Sequence, residues 1–287
     1  MERIADENVP DNISSRVLSG DLWNLGSHRL FCGDATVSDD VSRLLAGAGP
    51  HLMVTDPPYG VNYEPSWRKK IGNQNANRMG PVLNDNRPDW SNAWKLFPGD
   101  VGYVWFADRH AAVVQTSLEN QGLFVRNQIV WVKTRPVISR GHYGPQAEFC
   151  YYAVRKGETA HWEGLKSQST VWKIRQSRRF AAMAIARRSQ SNACSARSST
   201  TPKRVTRSTI HLSEAERPSS PRRKAVADAT RWRIDPGYCA VAIERFQRWT
   251  NRTAVLETSG KSYLEVMQQR NREARVDDVA GQPEVAS

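Results

Sequence analysis

Residues Met53 to Gly60 read MVTDPPYG, an apolar run that enters a single acid, Asp56, and then meets Pro57, Pro58 and Tyr59. The preceding HLMVTD has the length, β-branched content and lack of helical period of a short buried strand, and the prolines stop it. The acid therefore falls at a strand's end. That placement suits one kind of chemistry. An amine on an aromatic base is a poor nucleophile because its lone pair is delocalised into the ring. An acceptor for its hydrogens orients it and favours the tetrahedral form. Asp56 offers one acceptor and the Pro57 carbonyl a second, on backbone that the proline rings hold rigid. Tyr59 offers a flat face for a base taken out of a duplex. The ordinary alternative is a strand-ending Asp-Pro-Pro turn with Tyr59 in the core.

The flanking elements must present this segment. Asp21 to Ala35 reads as a hairpin lead-in, with Leu30 and Phe31 on a strand ending at Gly33 and Asp34. Ser38 to Ala46 is helical, with Asp39 and Asp40 in the first turn and Val41, Leu44 and Leu45 inward. Val61 to Asp89 lacks a strong period and reads as a long loop. Strands follow at 102–107, 127–133 and 148–154, with a helix from Arg109 to Gln121. Asp235 caps a helix whose first position is Pro236 and whose apolar face is Tyr238, Val241, Ala242, Phe246 and Trp249. SYLEVMQQRNREAR near the end reads as an amphipathic terminal helix. Strands alternating with helices predict an α/β fold with a largely parallel sheet covered on both faces. Ligands of such sheets sit beyond the carboxyl ends of the strands, where Asp34 and Asp56 both fall.

Composition narrows the partners. A chain of 287 residues can bury a substantial core. It contains no run of about 18 apolar residues, and its opening is not a signal peptide, so the expectation is a cytoplasmic protein without membrane contact. Cys32, Cys150, Cys194 and Cys239 are far apart and predict neither a metal site nor disulfides. The net charge of +12 is local: residues 175–233 hold 15 of the 41 Lys and Arg and 3 of the 29 Asp and Glu, and the rest is neutral. The same block contains none of the 18 glycines. Such a composition ordinarily marks a disordered basic linker, and the overall charge is no argument for nucleic-acid binding by the folded part.

TDPPYG at a strand end closely resembles the signature of the DNA amino-methyltransferases, which move a methyl group from S-adenosylmethionine to adenine N6 or cytosine N4. HRLFCGDAT before it resembles further family segments, as do YVWF, QIVWVK, RGHYGPQAEFCYYAVRKG, STVWKI and IDPGYCAVAIERFQRWT after it. Their order resembles the permuted branch, in which the catalytic motif precedes the cofactor loop, and the likeness covers roughly residues 20–174 and 234–255. It implies a Rossmann-like methyltransferase sheet with helices on both faces, S-adenosylmethionine as cofactor, double-stranded DNA as partner and no metal. It assigns catalysis to Asp56, Pro57, Pro58 and Tyr59, and cofactor contacts to Gly33 and Asp34. Asp235 lies beside the expected ribose-binding acid, which itself would fall at Arg233. Lys133, Arg140, His142 and Tyr143 sit where loops could meet DNA. No Pro-Cys nucleophile is present, which argues against methylation at cytosine carbon 5. The first residues, 1–20, read as a linker and resemble the junction behind a partition-protein-like nuclease domain, and 256–287 read as a C-terminal tail.

The resemblance also exposes a gap. Between STVWKI and IDPGY the family places Thr-Gln-Lys-Pro, then a strand ending in Asp-Pro-Phe and Gly-Ser-Gly-Thr-Thr, whose glycines let backbone approach the methionine part of the cofactor. Here that interval has no glycine. Codons can be chosen for positions 207–220 that, read from the third base, spell Ile-Tyr-Asp-Pro-Leu-Ile-Gly-Ser-Gly-Thr-Thr-Ile-Ile. In the same frame, 186–194 recodes to Thr-Gln-Lys-Pro-Val-Glu-Cys-Met. Two matches in one frame and in family order mark 175–233 as a frameshifted block between compensating indels. As written, the block is expected to be disordered, to leave the sheet incomplete, and to leave S-adenosylmethionine binding weak or absent. The competing expectation is a non-catalytic DNA-binding remnant that holds DNA through the block.

Overall fold

LWNL and HRLFC flank Gly26, whose φ of +68° opens a two-residue turn of the kind that joins tightly paired strands. The resulting hairpin, β1 (Leu22–Leu25) and β2 (His28–Cys32), is the first strand pair in a computed structural model that describes residues 17–62, 83–137, 142–162, 168–173, 209–211, 229–233 and 235–280. Eight further strands follow: β3 (Leu52–Thr55), β4 (Val101–Phe106), β5 (Leu123–Val132), β6 (Ala147–Arg155), β7 (Val171–Lys173), β8 (Thr209–His211), β9 (Ala229–Arg233) and β10 (Val255–Leu256). Five α-helices accompany them among the described residues: α1 (Ser38–Leu45), α2 (Ser91–Leu96), α3 (Ala111–Glu119), α4 (Pro236–Thr250) and α5 (Tyr263–Ala280).

The strands form one ten-stranded sheet in the order β10-β1-β2-β9-β8-β3-β4-β6-β5-β7. Only β1 and β6 run against the others. The fold is thus α/β with a mostly parallel sheet, as expected. Side-chain alternation sends successive residues to opposite faces. On β2, Phe31 packs with Leu22 and with Val41 and Leu44 of α1, while Leu30 and Cys32 pack against α4 and α5 on the other face. On β3, Met53 joins Trp94 of α2 and Val114 and Leu118 of α3, while Leu52 and Val54 join Tyr103, Trp105, Trp131 and Trp172. The indole N–H of Trp94 donates to Ser117 Oγ (3.0 Å), which donates to the Val114 carbonyl (2.8 Å), so this core carries no stray donor between α2 and α3.

Several expectations are corrected. The block at 175–233 is not wholly outside the fold: Thr209–His211 and Ala229–Arg233 are strands in the middle of the sheet, between β2 and β3. Among the described residues the sheet is continuous rather than incomplete. Parallel neighbours on both sides satisfy the backbone of these strands whatever their side chains, which is why composition did not find them. The remainder of the block, Cys194 included, lies outside the described residues. Nor do the described residues of the expected tail, 256–280, hang free of the fold. Leu256 pairs with Trp23, Ser262 and Glu265 form a reciprocal cap on α5, and Tyr263 and Val266 are buried. Val17, within the expected linker, is also core. On α4 the buried residues are Cys239, Ala240, Val241 and Ile243, with Ala242 and Phe246 packed alongside, and Tyr238 is exposed. Val241, Ala242 and Phe246 thus face inward as expected, and Cys239, Ala240 and Ile243 join them in place of Tyr238. β5 starts earlier than expected because an irregularity between Val125 and Asn127 restores pairing after the alternation breaks.

Cys32, Cys150 and Cys239 are buried free thiols, as expected of small apolar residues. Two side-chain anchors close the architecture. Arg155 donates to the carbonyls of Gly99 (2.8 Å), Gln121 (3.1 Å) and Phe97 (2.7 Å), tying the end of β6 to the segments that enter β4 and β5. Arg270 of α5 grips Asp21 through both carboxylate oxygens (2.6 and 2.9 Å), and the Leu18 N–H donates to the same acid (2.9 Å).

Replacing Arg270 with Leu leaves the buried Asp21 without its cation and should cost about 2–3 kcal/mol, read as a lower urea midpoint. Asp21→Asn, which keeps an acceptor for Leu18, should cost less. Gly33→Ala places a Cβ 2.1 Å from Phe31 Cε1 and 2.7 Å from Asp40 Oδ2. It should lose roughly 1–3 kcal/mol through overpacking, by the same measurement.

Candidate active site

The chain leaves β8 toward β9 on one side and leaves β3 toward β4 on the other, so the adjacent, parallel pair β8 and β3 is the topological switch point of the sheet. A crevice opens at such a point beyond the carboxyl ends of the strands. Asp56 is the first residue past β3. Asp34 lies past β2 and Asp235 past β9 on the same edge, since β2, β9, β8 and β3 are mutually parallel. Three interstrand spacings separate β2 from β3, roughly 14 Å. The expected catalytic and cofactor acids thus share one rim.

At that rim the Tyr59 hydroxyl donates to Asp56 Oδ1 at 2.6 Å. Asp56 is exposed and Tyr59 is half-buried against the cluster of Leu52, Val54, Trp105 and Trp131. Burial first, then the Asp56 charge and this hydrogen bond, push the Tyr59 phenol well above its ordinary range, so it stays protonated and remains a donor. The same carboxylate adds to the burial that pushes up the neighbouring Cys150 thiol. A carboxylate has about four lone-pair sites, so a bound phenol leaves acceptor capacity for an amine. The hydroxyl of Thr55, fully buried one residue earlier, has no hydrogen-bond partner.

Two contacts hold the loop from the 83–90 turn. Asp85 Oδ1 accepts from the Gly60 N–H (2.8 Å) and the Val61 N–H (3.2 Å), and the Trp90 indole N–H donates to the Pro58 carbonyl (3.0 Å). Gly60 has φ +74°, and a Cβ there would lie 2.5 Å from Pro88 N, so glycine is required twice over. Neither Asp85 nor Trp90 was picked out by sequence reasoning, which read 61–89 as a loop. The turn signal LNDNRP before Trp90 is the feature that pointed there.

The other expected residues divide. Asp34 Oδ1 accepts from the Thr36 N–H and hydroxyl, both at 2.8 Å, and its own N–H donates to Asp40 Oδ2 (3.1 Å), a strand-end turn. Gly33 packs on the Phe31 ring. Asp235 Oδ1 caps α4 through the N–H groups of Gly237 (2.7 Å) and Tyr238 (3.4 Å). The Lys133 ammonium is paired with Glu148 and lies over the Trp131 ring, with its side chain 10% exposed. Glu148, unforeseen, also contributes to the raised Tyr59 phenol. His142 and Tyr143 are exposed on the β5–β6 loop, at the same end of the sheet as Asp56, with Tyr143 at 91%. Arg140 lies outside the described residues. Among the described residues no cluster of His, Cys, Asp or Glu could hold a metal ion, and no helix is long and apolar enough to cross a membrane.

Residues 51–236 match the profile of the N6_N4_Mtase family, a family of DNA methylases. No curated protein matches the chain. Among solved structures, M1.HpyAVI in complex with SAM is similar at 15% identity, over 75% of this chain and 98% of that one, with a TM-score of 0.47. A provisionally named DNA modification methylase of Thermus thermophilus, complexed with S-adenosyl-L-methionine, is similar at 18% identity, over 82% of this chain and 96% of that one, with a TM-score of 0.42. The profile spans well over half of the chain, and the protein belongs to the N6_N4_Mtase family of DNA methylases.

Proposed function

We propose that this architecture serves methyl transfer to the exocyclic amine of adenine (N6) or cytosine (N4) in double-stranded DNA, and that the chain as written lacks part of what the reaction needs. The observation that carries the reading is Asp56, at the switch point, with the Tyr59 hydroxyl on one oxygen. Asp56 and the Pro57 carbonyl take the two amine hydrogens of an everted base, and the ring of Tyr59 stacks on it. Keeping the phenol on Oδ1 orients the carboxylate, so its remaining acceptor capacity is fixed before substrate arrives.

S-adenosylmethionine is the methyl donor this reading requires. The acids Asp34 and Asp235 stand on the right rim for its nucleoside end, with Oδ1 of each already used locally. The methionine end does not fit: between β8 and β9, positions 212–228 contain no glycine where close backbone approach is needed. The frameshift reading accounts for this. β8 ends at His211, and the shifted codons place Asp-Pro across positions 209–211, with the Gly-rich turn two residues further on. We infer that the chain as written binds S-adenosylmethionine weakly or not at all and that a frame-restored chain binds it. Calorimetric titration of both checks this, and micromolar binding by the chain as written overturns it. In the frame-restored chain, Asp56→Ala should lower tritiated methyl transfer to DNA by about 10²–10³-fold without changing cofactor affinity. Full retention of activity would remove Asp56 from the chemistry.

A second reading is favoured by the confinement of all +12 charges to 175–233. The chain then holds DNA without catalysis. Its mark is a DNA affinity whose dependence on salt weakens when Arg222, Arg223 and Lys224 are changed to Gln, a set that spares β8 and β9.

A further inference from the structure

We propose that Asp85 and Trp90 are positioning residues for the Asp56–Tyr59 loop, which they clamp from its two sides so that the Pro57 carbonyl and Asp56 converge on one incoming amine. The proposal rests on the amine-gripping reading above. It assigns a task to a turn that composition left as featureless loop.

The backbone of the loop has few other means of holding its shape. Pro57 and Pro58 have no N–H, so neither can extend the β3 ladder or make a turn hydrogen bond as donor. The first N–H groups available after Tyr59 are those of Gly60 and Val61, and both go to one oxygen of Asp85. Asp85 is 7% exposed, so these are charge-assisted bonds out of water. Its carbonyl accepts a third loop N–H, from Asn62 at 2.9 Å. On the other side, the Trp90 indole N–H takes the Pro58 carbonyl. Of the two diproline carbonyls, this engages the second and fixes the peptide plane that leads into Tyr59, leaving the first to the substrate. Trp90 is anchored in turn. It is 8% exposed, packs in the core that contains Met53 of β3, and carries the Arg87 guanidinium 4.6 Å from its ring centre. The backbone contact between Gly60 and Arg87–Pro88 leaves no gap through which the loop could slide. The strand that ends in Asp56 and the clamp that holds its loop are thus fastened to one core.

The test combines two readouts on the full chain and its frame-restored form. Hydrogen exchange at Gly60 and Val61 reports the clamp directly. Asp85→Ala should speed both at least tenfold while the β3 amides stay protected, and Asp85→Asn, which keeps an acceptor oxygen, should restore most of the protection. Quenching of 2-aminopurine, placed opposite an abasic site in a duplex, reports the base platform. Asp85→Ala and Trp90→Phe should each weaken it about tenfold, with Asp85→Asn within threefold of the parent and circular dichroism unchanged for Trp90→Phe. Unchanged exchange in Asp85→Ala overturns the clamp. Faster exchange with unaltered quenching overturns its positioning role. Absence of quenching in the unsubstituted frame-restored chain instead defeats the base-binding reading, and the exchange data then decide the clamp alone.

Discussion

Two consecutive prolines withhold two backbone donors, and at Pro57 and Pro58 that shortage falls where β3 has hydrogen-bonding neighbours on both sides. The ladder with β4 ends at the pairing of Thr55 with Val104, and the chain must leave the sheet. It does so between strands whose connections depart in opposite directions, so Asp56 emerges into the gap rather than under a crossover. The rest of the site repairs what the prolines took away. Asp85 and Trp90 supply, from side chains, the restraint that neighbouring strands give elsewhere. Tyr59 then turns its hydroxyl back to Asp56 while its ring closes the aromatic cluster below.

Charge follows the same geometry. Three ion pairs tie described elements together: Arg270 with Asp21, Arg29 with Glu257, and Lys133 with Glu148. Around the switch point the parallel rim carries Asp34, Asp56 and Asp235, and farther along it the exposed Arg109 and Arg135 follow β4 and β5. An acidic rim suits ligands that present hydrogen-bond donors, such as amines and ribose hydroxyls, and disfavours bare phosphate.

Much of this was legible in the residues themselves. The hairpin, α1, β3, β4 and β6 follow from local period and punctuation, and the TDPPYG segment announces its own position at the end of β3. The cap at Asp235 is found where Pro236 predicts it. What escaped depended on distant partners. β8 and β9 are polar and basic, yet parallel neighbours complete them. The buried face of α4 takes in the small Cys239 and Ala240 rather than the larger Tyr238, which local apolar spacing does not distinguish. The partner of Lys133, Glu148, is brought within reach only by the strand pairing of β5 with β6. Asp85 is separated from Gly60 by 25 positions, and no spacing rule joins them.

The first strand and the last helix are fastened to each other. β1 pairs with β10, and Asp21 meets Arg270 across 249 positions of sequence. The outer edge of the opening hairpin is therefore covered only once residues 255 and 256, far along the sequence, have been made and docked. Until then an apolar ribbon with unpaired backbone groups is open to self-association. So long a separation also raises the contact order, which makes acquisition of the native topology slow. Early release of the nascent polypeptide would leave aggregation, rather than a smaller folded product, as its fate.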